Sequence, residues 1–277
     1  MLSRRKWLSL AGLAALPVAA YPVGCEPFWL QLSHTDVRLD PALAHPIRIL
    51  HLADFHASLA VPMLTINHAV SMGLQQRPDL IFLTGDFISN RSGFSEGRYV
   101  QTLKRLTAAA PTFAVLGNHD GGCWATLHRG FPDHQLVDRM LSQSGVTLLH
   151  NRSTIVRVNN SDLQLVGVGD LWSEEIDAAS AFKSINRELP TVLLSHNPDS
   201  KDLLYSHPWH VMLSGHTHGG QVIIPFEGPC FAPVVDKRFV AGLGQWRDRQ
   251  IYVTRGVGNL GGVRFRCRPE VSMILLS

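Results

Sequence analysis

Two histidines stand two residues apart in GHTHGG, residues 215–220, and a pair of glycines follows them. Similar polar clusters end four other apolar runs of the chain. These clusters are ADFH (residues 53–56), TGDF (84–87), GNHD (117–120) and SHNPD (195–199). Carboxylate, amide and imidazole groups are the side chains that bind metal ions or transfer protons. The clusters therefore mark where we expect the chemistry of the protein.

Seven side chains of these clusters offer oxygen or imidazole donors, and none offers a thiolate. They are Asp54, His56, Asp86, Asn118, His196, His216 and His218. The set is too rich for one ion of low coordination number and suits two ions that share a carboxylate. Mixed nitrogen and oxygen ligation favours divalent Mn, Fe, Ni or Zn over Ca or Mg, and affinity order does not choose among them. The sequence thus predicts a site for two divalent metal ions.

Short apolar runs alternate with amphipathic segments from Pro46 onward. The runs predict strands at residues 47–53, 79–85, 112–117, 163–169, 191–195, 210–215, 251–256 and 271–276. Helical periodicity predicts helices at residues 61–76, 99–110 and 133–145. This order indicates an α/β domain, in which ligands bind where the carboxyl ends of the strands converge. The polar clusters should therefore meet in space, with Gly85, Gly219 and Gly220 allowing sharp turns beside the metals.

The composition favours one large domain. A chain of 277 residues that is 45% hydrophobic can bury a substantial core, and no internal repeat or low-complexity linker divides it. The formal charge of +3 is small, and no block of Lys and Arg with interleaved aromatics indicates a nucleic-acid groove. The four cysteines lack the spacing of a zinc knuckle or a redox pair, so they leave the redox compartment undecided.

Residues 1–28 are predicted to be a signal peptide or membrane anchor. Arg4, Arg5 and Lys6 precede an uncharged apolar stretch, and VAA (18–20) fits cleavage after Ala20. SRRKWL is close to a twin-arginine signal, so we expect export by the twin-arginine machinery, with an uncleaved anchor as the alternative. The basic head predicts that the catalytic domain, residues 46–277, lies in the periplasm or on the outer face of the membrane.

The order D-x-H, G-D, G-N-H-D, a lone His and G-H-x-H resembles that of the calcineurin-like metallophosphoesterase superfamily, over residues 47–220. The leader, SHNPDS, GHTHGGQ, FAPVVDKRFVAGL and TRGVGNLGGVRFRCRPE resemble its bacterial YaeI/YkuE-type phosphodiesterase branch nearly end to end. The resemblance implies a four-layer αββα sandwich of two mixed β-sheets flanked by helices. It also implies hydrolysis of a phosphodiester by a hydroxide that bridges two metals.

The resemblance further implies a role for each residue of the clusters. It divides the donors between two ions: Asp54, His56 and His218 on the first, Asp86 bridging, and Asn118, His196 and His216 on the second. His119 would protonate the leaving oxygen or steady the charge of the phosphate. Asp120 would orient the His119 ring.

Residues outside the clusters could contact the substrate. Arg238 and Arg255 lie in loops near the expected mouth of the site, where each could bind a phosphate or form a surface ion pair. In VRFRCR, residues 263–268, arginine alternates with apolar residues. This alternation predicts an edge strand with one basic face, which could touch anionic lipid.

Three functions fit these features. The first is a phosphodiesterase, whose phosphodiester substrate could be linked to lipid or to the cell envelope. The second is a pyrophosphatase of a membrane lipid such as UDP-2,3-diacylglucosamine, a reaction that relatives in the superfamily perform. The third is a non-catalytic scaffold, since some superfamily members have lost ligands. The presence of all seven donors and of His119 argues against the scaffold.

Overall fold

Apolar runs of four to seven residues form the central strands, and the computed structural model describes residues 20–39, 43–90 and 93–277 of the chain. In chain order the strands are β1 (Gln31–Val37), β2 (Ile47–Leu52), β3 (Leu80–Thr84), β4 (Thr112–Val115), β5 (Thr147–Leu148), β6 (Arg152–Val158), β7 (Ser161–Gly167), β8 (Thr191–Leu194), β9 (Val211–Ser214), β10 (Ile223–Ile224), β11 (Gly228–Pro229), β12 (Gly242–Trp246), β13 (Arg249–Val253) and β14 (Glu270–Leu276). The helices are α1 (Met63–Leu74), α2 (Glu96–Thr107), α3 (Gly122–Leu127), α4 (Gln135–Ser144) and α5 (Ala178–Ala181).

Twelve of the strands form two mixed sheets, and β10 and β11 form a separate hairpin. Sheet 1 has the order β1-β14-β2-β3-β4-β5, in which only the pairing of β14 with β2 is antiparallel. Sheet 2 has the order β12-β13-β9-β8-β7-β6, with antiparallel pairs at its two edges and parallel pairs between them. The parallel strands are buried on both faces, which explains their continuous apolar sequences.

Three layers of core hold the sheets together. Helices α1, α2 and α4 cover the outer face of sheet 1, where Ile66 and Leu103 belong to one buried cluster with Leu83. A second cluster fills the space between the sheets and includes Phe82 of sheet 1 and Leu213 of sheet 2. The outer face of sheet 2 is covered by α5 and short 3-10 turns. The predicted α/β fold of two mixed sheets flanked by helices is therefore confirmed.

The predicted helices and strands are present with small shifts at their ends, and helix α4 ends at Gly145 in the left-handed conformation (φ 79°). The folded part begins earlier than the predicted start at residue 46, however. Strand β1 pairs in parallel with β14. The carbonyl of Pro22 and the carboxylate of Glu26 accept hydrogen bonds from the main-chain nitrogens of Arg264 and Cys267. The sequence of β1 hides this pairing, because an edge strand is only partly buried and keeps polar residues.

The prediction of an edge strand at residues 263–268 is wrong. This segment is a loop that makes one bridge, between Phe265 and Val222. Its three arginines do not share a basic face either. Arg264 is fully buried, Arg268 stacks on the Trp29 ring at 4.1 Å, and only Arg266 is exposed.

The state of the cysteines and the hydropathy of the helices bear on where the protein is found. The four cysteines are free thiols, of which Cys267 alone is buried. Within residues 20–39, 43–90 and 93–277, no helix has the length and hydropathy needed to span a bilayer. The predicted leader, apart from residues 20–28, lies outside the described residues.

Candidate dinuclear metal centre

The carboxyl ends of five strands bring the predicted donors together. Asp54 and His56 follow β2, Asp86 follows β3 and Asn118 follows β4, all in sheet 1. The remaining donors come from sheet 2, with His196 after β8 and the other two histidines after β9. The donors are all buried, none being more than 3% exposed. Both sheets thus contribute donors to the site.

Most donors stand on strained backbone. The left-handed region of φ is uncommon for residues other than glycine. Five donors nevertheless adopt it: Asp54 (φ 52°), His56 (46°), Asp86 (55°), His216 (72°) and His218 (52°). Such strain costs on the order of 1–3 kcal/mol per residue and persists only where surrounding contacts enforce it. The turns after the strands are therefore held in place by other groups.

Two of the predicted turn glycines are required where they stand. Gly85 has φ +83°, and a Cβ there would lie 2.5 Å from the main-chain nitrogen of Gly117. Gly219 has φ +63°, and its Cβ would lie 2.5 Å from Cγ of Arg255. A side chain at Gly85 would require the backbone of Gly117 to move, and one at Gly219 would require the side chains of Arg255 and Cys267 to move.

The donor atoms form overlapping groups within 4.8 Å: Asp54, His56 and His218; His56, Asp86 and His119; and Asp86, His196 and His216. In the first group Nε2 of His56 lies 3.0 Å from Nε2 of His218. Oδ2 of Asp86 lies 3.3 Å from Nε2 of His56 and 3.2 Å from Nε2 of His196. Asp86 thus joins the two halves of the site, as a shared carboxylate would.

The outer ring nitrogens of two histidines are bound to main-chain carbonyls. Nδ1 of His196 lies 2.7 Å from the oxygen of Thr84, and Nε2 of His216 lies 3.1 Å from the oxygen of Pro233. Because a carbonyl only accepts hydrogen bonds, these nitrogens carry the hydrogens. When both rings are neutral, their other nitrogens, 3.1 Å apart, face each other with lone pairs. Such an arrangement is typical of imidazoles that bind a cation.

The electrostatics favour metal binding at three of the histidines. Burial lowers the pKa of His56 to about 3 and the pKa values of His216 and His218 well below their usual range, so these rings are neutral, the form that binds metals. Burial raises the pKa of Asp54 to about 7. Burial also disfavours the charged form of His196, but the adjacent Asp86 carboxylate outweighs it and raises this pKa to about 10. Without a metal ion this ring is therefore protonated, and it must lose a proton to bind one.

Two donor oxygens have no partner among the described residues. Oδ2 of Asp54 and Oδ1 of Asn118 are buried and accept no hydrogen bond there. Leaving a buried carboxylate oxygen unsatisfied is costly, and a metal ion would remove that cost. Together with the converging lone pairs, this shows that the donor cluster fits a pair of divalent ions; the geometry does not identify the metal.

His119 lies at the edge of the donor cluster and faces solvent. Its ring centroid is 4.8 Å from that of His56, and its Nδ1 lies 3.1 Å from the carbonyl oxygen of Ser89. Its main-chain nitrogen donates to Oδ1 of Asp86 at 2.9 Å. Ser89, not Asp120, therefore orients the ring.

Asp120 has a different role from the predicted one. Its carboxylate accepts main-chain hydrogen bonds from Asp86, Phe87 and Gly117 at 2.7–2.9 Å, and a longer one from Ile88 at 3.4 Å. These donors belong to the turns after β3 and β4. Asp120 therefore fixes the backbone that carries Asp86 and Asn118, and the prediction that it orients His119 is wrong.

Arg264, which the sequence did not predict as a site residue, also fixes backbone, here in the loops that follow the strands of sheet 2. Its buried guanidinium donates to the carbonyls of His218 (3.2 Å), Cys267 (3.0 Å) and Arg255 (2.7 Å), and also to those of Gly256 and Gly258. Among the described residues it forms no ion pair with a carboxylate. These hydrogen bonds offset part of the cost of burying the guanidinium, and they fix the loop of His218. Its sequence context, an arginine alternating with apolar residues, indicates a surface strand instead.

A cleft of about 620 Å³ opens above His119. Its lining includes Ser58, Leu59, Ala60, Ser89, Asn90, His119, His128, Arg129, Asn259, Leu260 and Gly261. The ring of Trp124 stacks on His128 at 3.7 Å and meets His119 at 4.6 Å, so an aromatic wall runs from the rim to the donor cluster.

The two arginines predicted at the mouth form ion pairs in the structure. Arg238 makes two hydrogen bonds with Asp236, at 2.9 and 2.7 Å, and Nε of Arg255 lies 3.2 Å from Glu270. The structure thus shows the ion-pair alternative for both. Among the described residues that line the cleft, the arginine is Arg129. No pattern in the sequence predicts that Arg129 lies there.

Residues 47–220 match the model of the calcineurin-like phosphoesterase family. The chain belongs to this family. It is a metal-dependent phosphoesterase. The match covers every strand that carries a donor, so the family assignment and the donor cluster concern the same part of the molecule.

Relatives of this phosphoesterase cover its whole length. It is 41% identical to phosphodiesterase YaeI of Escherichia coli, over 100% of both chains. It is 29% identical to an uncharacterized metallophosphoesterase, YkuE of Bacillus subtilis, over 99% of this chain and 98% of that one. It is 28% identical to the UDP-2,3-diacylglucosamine pyrophosphatase LpxG of Chlamydia muridarum, over 96% of both. The predicted resemblance to the YaeI/YkuE-type branch is confirmed.

We expect Asp120→Asn to destabilise the protein by about 2–3 kcal/mol, because an amide presents its NH2 group to main-chain donors and leaves some of them unsatisfied. The metal content of the purified variant should also fall, since the turn of Asp86 loses its support. Urea unfolding and elemental analysis measure both quantities. Asp162→Asn, at an exposed position of β7, is the control and should change stability by less than about 0.5 kcal/mol. Normal stability and metal content with slow turnover would restore the ring-orienting role of Asp120.

We expect Arg264→Lys to weaken metal binding by about 10–100-fold, a typical effect of groups that orient metal ligands. An ammonium cannot reach all the carbonyls that the guanidinium connects, so the His218 loop would shift. Metal titration, at a temperature where circular dichroism shows the variant folded, measures the affinity. Arg266→Lys, two residues away and exposed, is the matched control. Equal affinities for the two variants would show that Arg264 serves packing alone.

Proposed function

We propose that this phosphoesterase hydrolyses phosphodiesters at the donor cluster, with His119 as the proton donor to the leaving group. The observation that carries the proposal is the set of overlapping donor groups, two of which contain Asp86, with imidazole nitrogens converging and His119 beside them. The whole-length similarity to a phosphodiesterase supports the choice of a diester.

The residues of the chain have separate tasks in this proposal. Asp54, His56 and His218 would hold one divalent ion, Asn118, His196 and His216 would hold the other, and Asp86 would contribute to both. When bound, the two ions would supply Lewis acidity and activate water. We infer Mn, Fe, Ni or Zn from the mixed donor set.

His119 is placed to act on the leaving oxygen. Because Nδ1 of His119 donates to the carbonyl of Ser89, Nε2 is the nitrogen left for the cleft. In the imidazolium form this nitrogen can give a proton to the departing alkoxide. Arg129 at the rim is free of a carboxylate partner in the described contacts and suits the charge of a phosphate.

A pyrophosphate of a membrane lipid is the second candidate substrate. The similarity to LpxG extends over 96% of both chains, which favours a shared arrangement around the cleft. LpxG acts on UDP-2,3-diacylglucosamine, as its name states. A substrate of that kind would place a phosphorus atom at the donor cluster and an apolar group in the adjoining part of the cleft.

We also propose that the chain is exported and acts in the periplasm or on the outer face of the cytoplasmic membrane. The support is the sequence of the leader, in which Arg4, Arg5 and Lys6 precede an apolar stretch. The twin-arginine machinery, which exports folded proteins, would deliver the domain with its metals loaded.

The reaction class is tested by comparing a phosphomonoester, a phosphodiester and a pyrophosphate, each with added Mn, Fe, Ni or Zn. We expect the diester to give the largest kcat/KM, because the cleft is open enough for a group on each side of the phosphorus atom. A pyrophosphate preference would support the second candidate. Exclusive hydrolysis of monoesters would refute both.

Two variants control for a contaminating phosphatase and separate the roles of residues. Asp86→Ala should abolish activity and bound metal together, because both halves of the site lose a ligand. His119→Ala should keep the metal content near normal and lower kcat by about two to four orders of magnitude. Equal metal loss in the two variants would contradict this division of roles.

Export is tested by replacing Arg4 and Arg5 with lysine in a full-length chain and fractionating the cells. We expect the wild-type chain outside the cytoplasm and the double variant inside it, because twin-arginine recognition requires the arginine pair. Wild-type chain in the cytosolic fraction would overturn the proposed location.

A further inference from the structure

Beside the metal centre lies an apolar surface that the proposed chemistry does not use. We define this docking surface as Ile224, Phe226, Phe231, Leu260 and Val263. We propose that it binds a phospholipid bilayer, with an acyl chain of the substrate entering the groove beside His218. The substrate class would then be an amphipathic lipid phosphodiester, which rests on the proposed phosphodiesterase function.

The first observation is an aromatic side chain presented to solvent at a hairpin tip. Strands β10 and β11 pair Ile223 with Pro229 and enclose a three-residue turn. Phe226 at its centre is completely exposed and has φ 71°, a conformation that is rare for a bulky residue. Ile224 beside it is also exposed. A turn that holds an aromatic residue outward under strain is better explained by a partner than by packing.

The second observation is a groove that links the hairpin to the metal centre. The groove has a volume of about 500 Å³, and its lining includes Val222, Phe231, Leu260, Val263 and the metal-site residue His218. Leu260 and Gly261 also line the cleft above His119. Polar side chains, Arg129 among them, contribute to the lining of the cleft, whereas the exposed lining of the groove is almost entirely apolar. That division suits a molecule with a phosphate at its centre and a hydrocarbon chain on one side.

The third observation is where the leader enters the fold. The chain before Ala20 is apolar and uncharged from Trp7 onward. Just after it, the carbonyl of Pro22 accepts a hydrogen bond from the nitrogen of Arg264, and the next residue, Phe265, pairs with Val222 at the base of the hairpin. An apolar leader thus joins the domain next to the docking surface, so a bilayer that holds the leader would meet the hairpin.

The residues around this junction suit an interface between water and lipid. Trp29 is exposed, and the guanidinium of Arg268 stacks on its ring at 4.1 Å. Exposed tryptophans are enriched at the level of lipid headgroups. Arg266, exposed in the adjoining loop, suits anionic headgroups. A bilayer that contains anionic lipid is therefore the expected partner.

The test places an additional tryptophan at the hairpin tip. Full-length Phe226→Trp is mixed with phosphatidylethanolamine–phosphatidylglycerol vesicles whose acyl chains are brominated, and its fluorescence is compared with that of the wild type. We expect the added fluorescence to be quenched by the brominated chains. Leu64→Trp, at an exposed position of α1, is the matched control and should be quenched only by aqueous iodide. The readout concerns residue 226 itself, so anchoring by the leader does not produce it.

Two outcomes overturn docking. If iodide and not the brominated chains quenches the fluorescence added by Phe226→Trp, the hairpin tip stays in water. Protection from both quenchers, with a doubled mass in sedimentation without vesicles, would identify a second copy of the chain as the occupant.

Activity measurements separate this inference from the proposed function. Phe226→Ser should lower hydrolysis of a long-chain lipid phosphodiester in vesicles by about tenfold, a modest change in binding free energy. The same variant should hydrolyse a water-soluble aryl phosphodiester at the wild-type rate. Equal rates on the vesicle substrate would refute docking while leaving the phosphodiesterase intact. If wild-type protein hydrolyses neither diester, the proposed function fails, and the quenching experiment still decides docking.

Discussion

The donor cluster depends on backbone turns that would not persist on their own. Left-handed φ values at Asp54, His56, Asp86, His216 and His218 cost on the order of 1–3 kcal/mol each. Two buried polar groups hold two of these turns: Asp120 accepts main-chain hydrogen bonds around Asp86, and Arg264 donates to the carbonyl of His218. The strained turns thus lower the stability of the fold, but they direct seven donor side chains into one small volume. Asp120 and Arg264 act on the backbone and not on the substrate.

The two sheets supply complementary halves of this volume. Sheet 1 contributes the carboxylates, and sheet 2 contributes the histidines whose outer nitrogens are bound to Thr84 and Pro233. Apolar packing between the sheets therefore sets the distance between the halves. A change in that core would alter the spacing of the donors without touching any of them, which makes the inter-sheet core part of the functional architecture.

Much of the fold and of the donor set was predictable from the sequence, because both depend on local patterns. Buried parallel strands are continuous apolar runs, and the donors follow the ends of those runs directly. The roles of Asp120 and Arg264 were not predictable, since each contacts main-chain atoms of segments distant in the chain. The same limit applied to β1, an edge strand with a mixed sequence, and to Arg129, which reaches the cleft through the loop after α3.

The metal centre and the docking surface are neighbours because the residues that form them follow one another in the chain after β9. His218 ends the metal-binding turn, Gly220 packs against Pro229 of the hairpin, and the hairpin begins three residues later. Movement of the hairpin would therefore be transmitted to the loop of His218, which Arg264 also holds. Because the same arginine bonds the end of the leader through Pro22, one buried residue connects the metal-binding loop, the apolar surface and the point where the leader enters the fold.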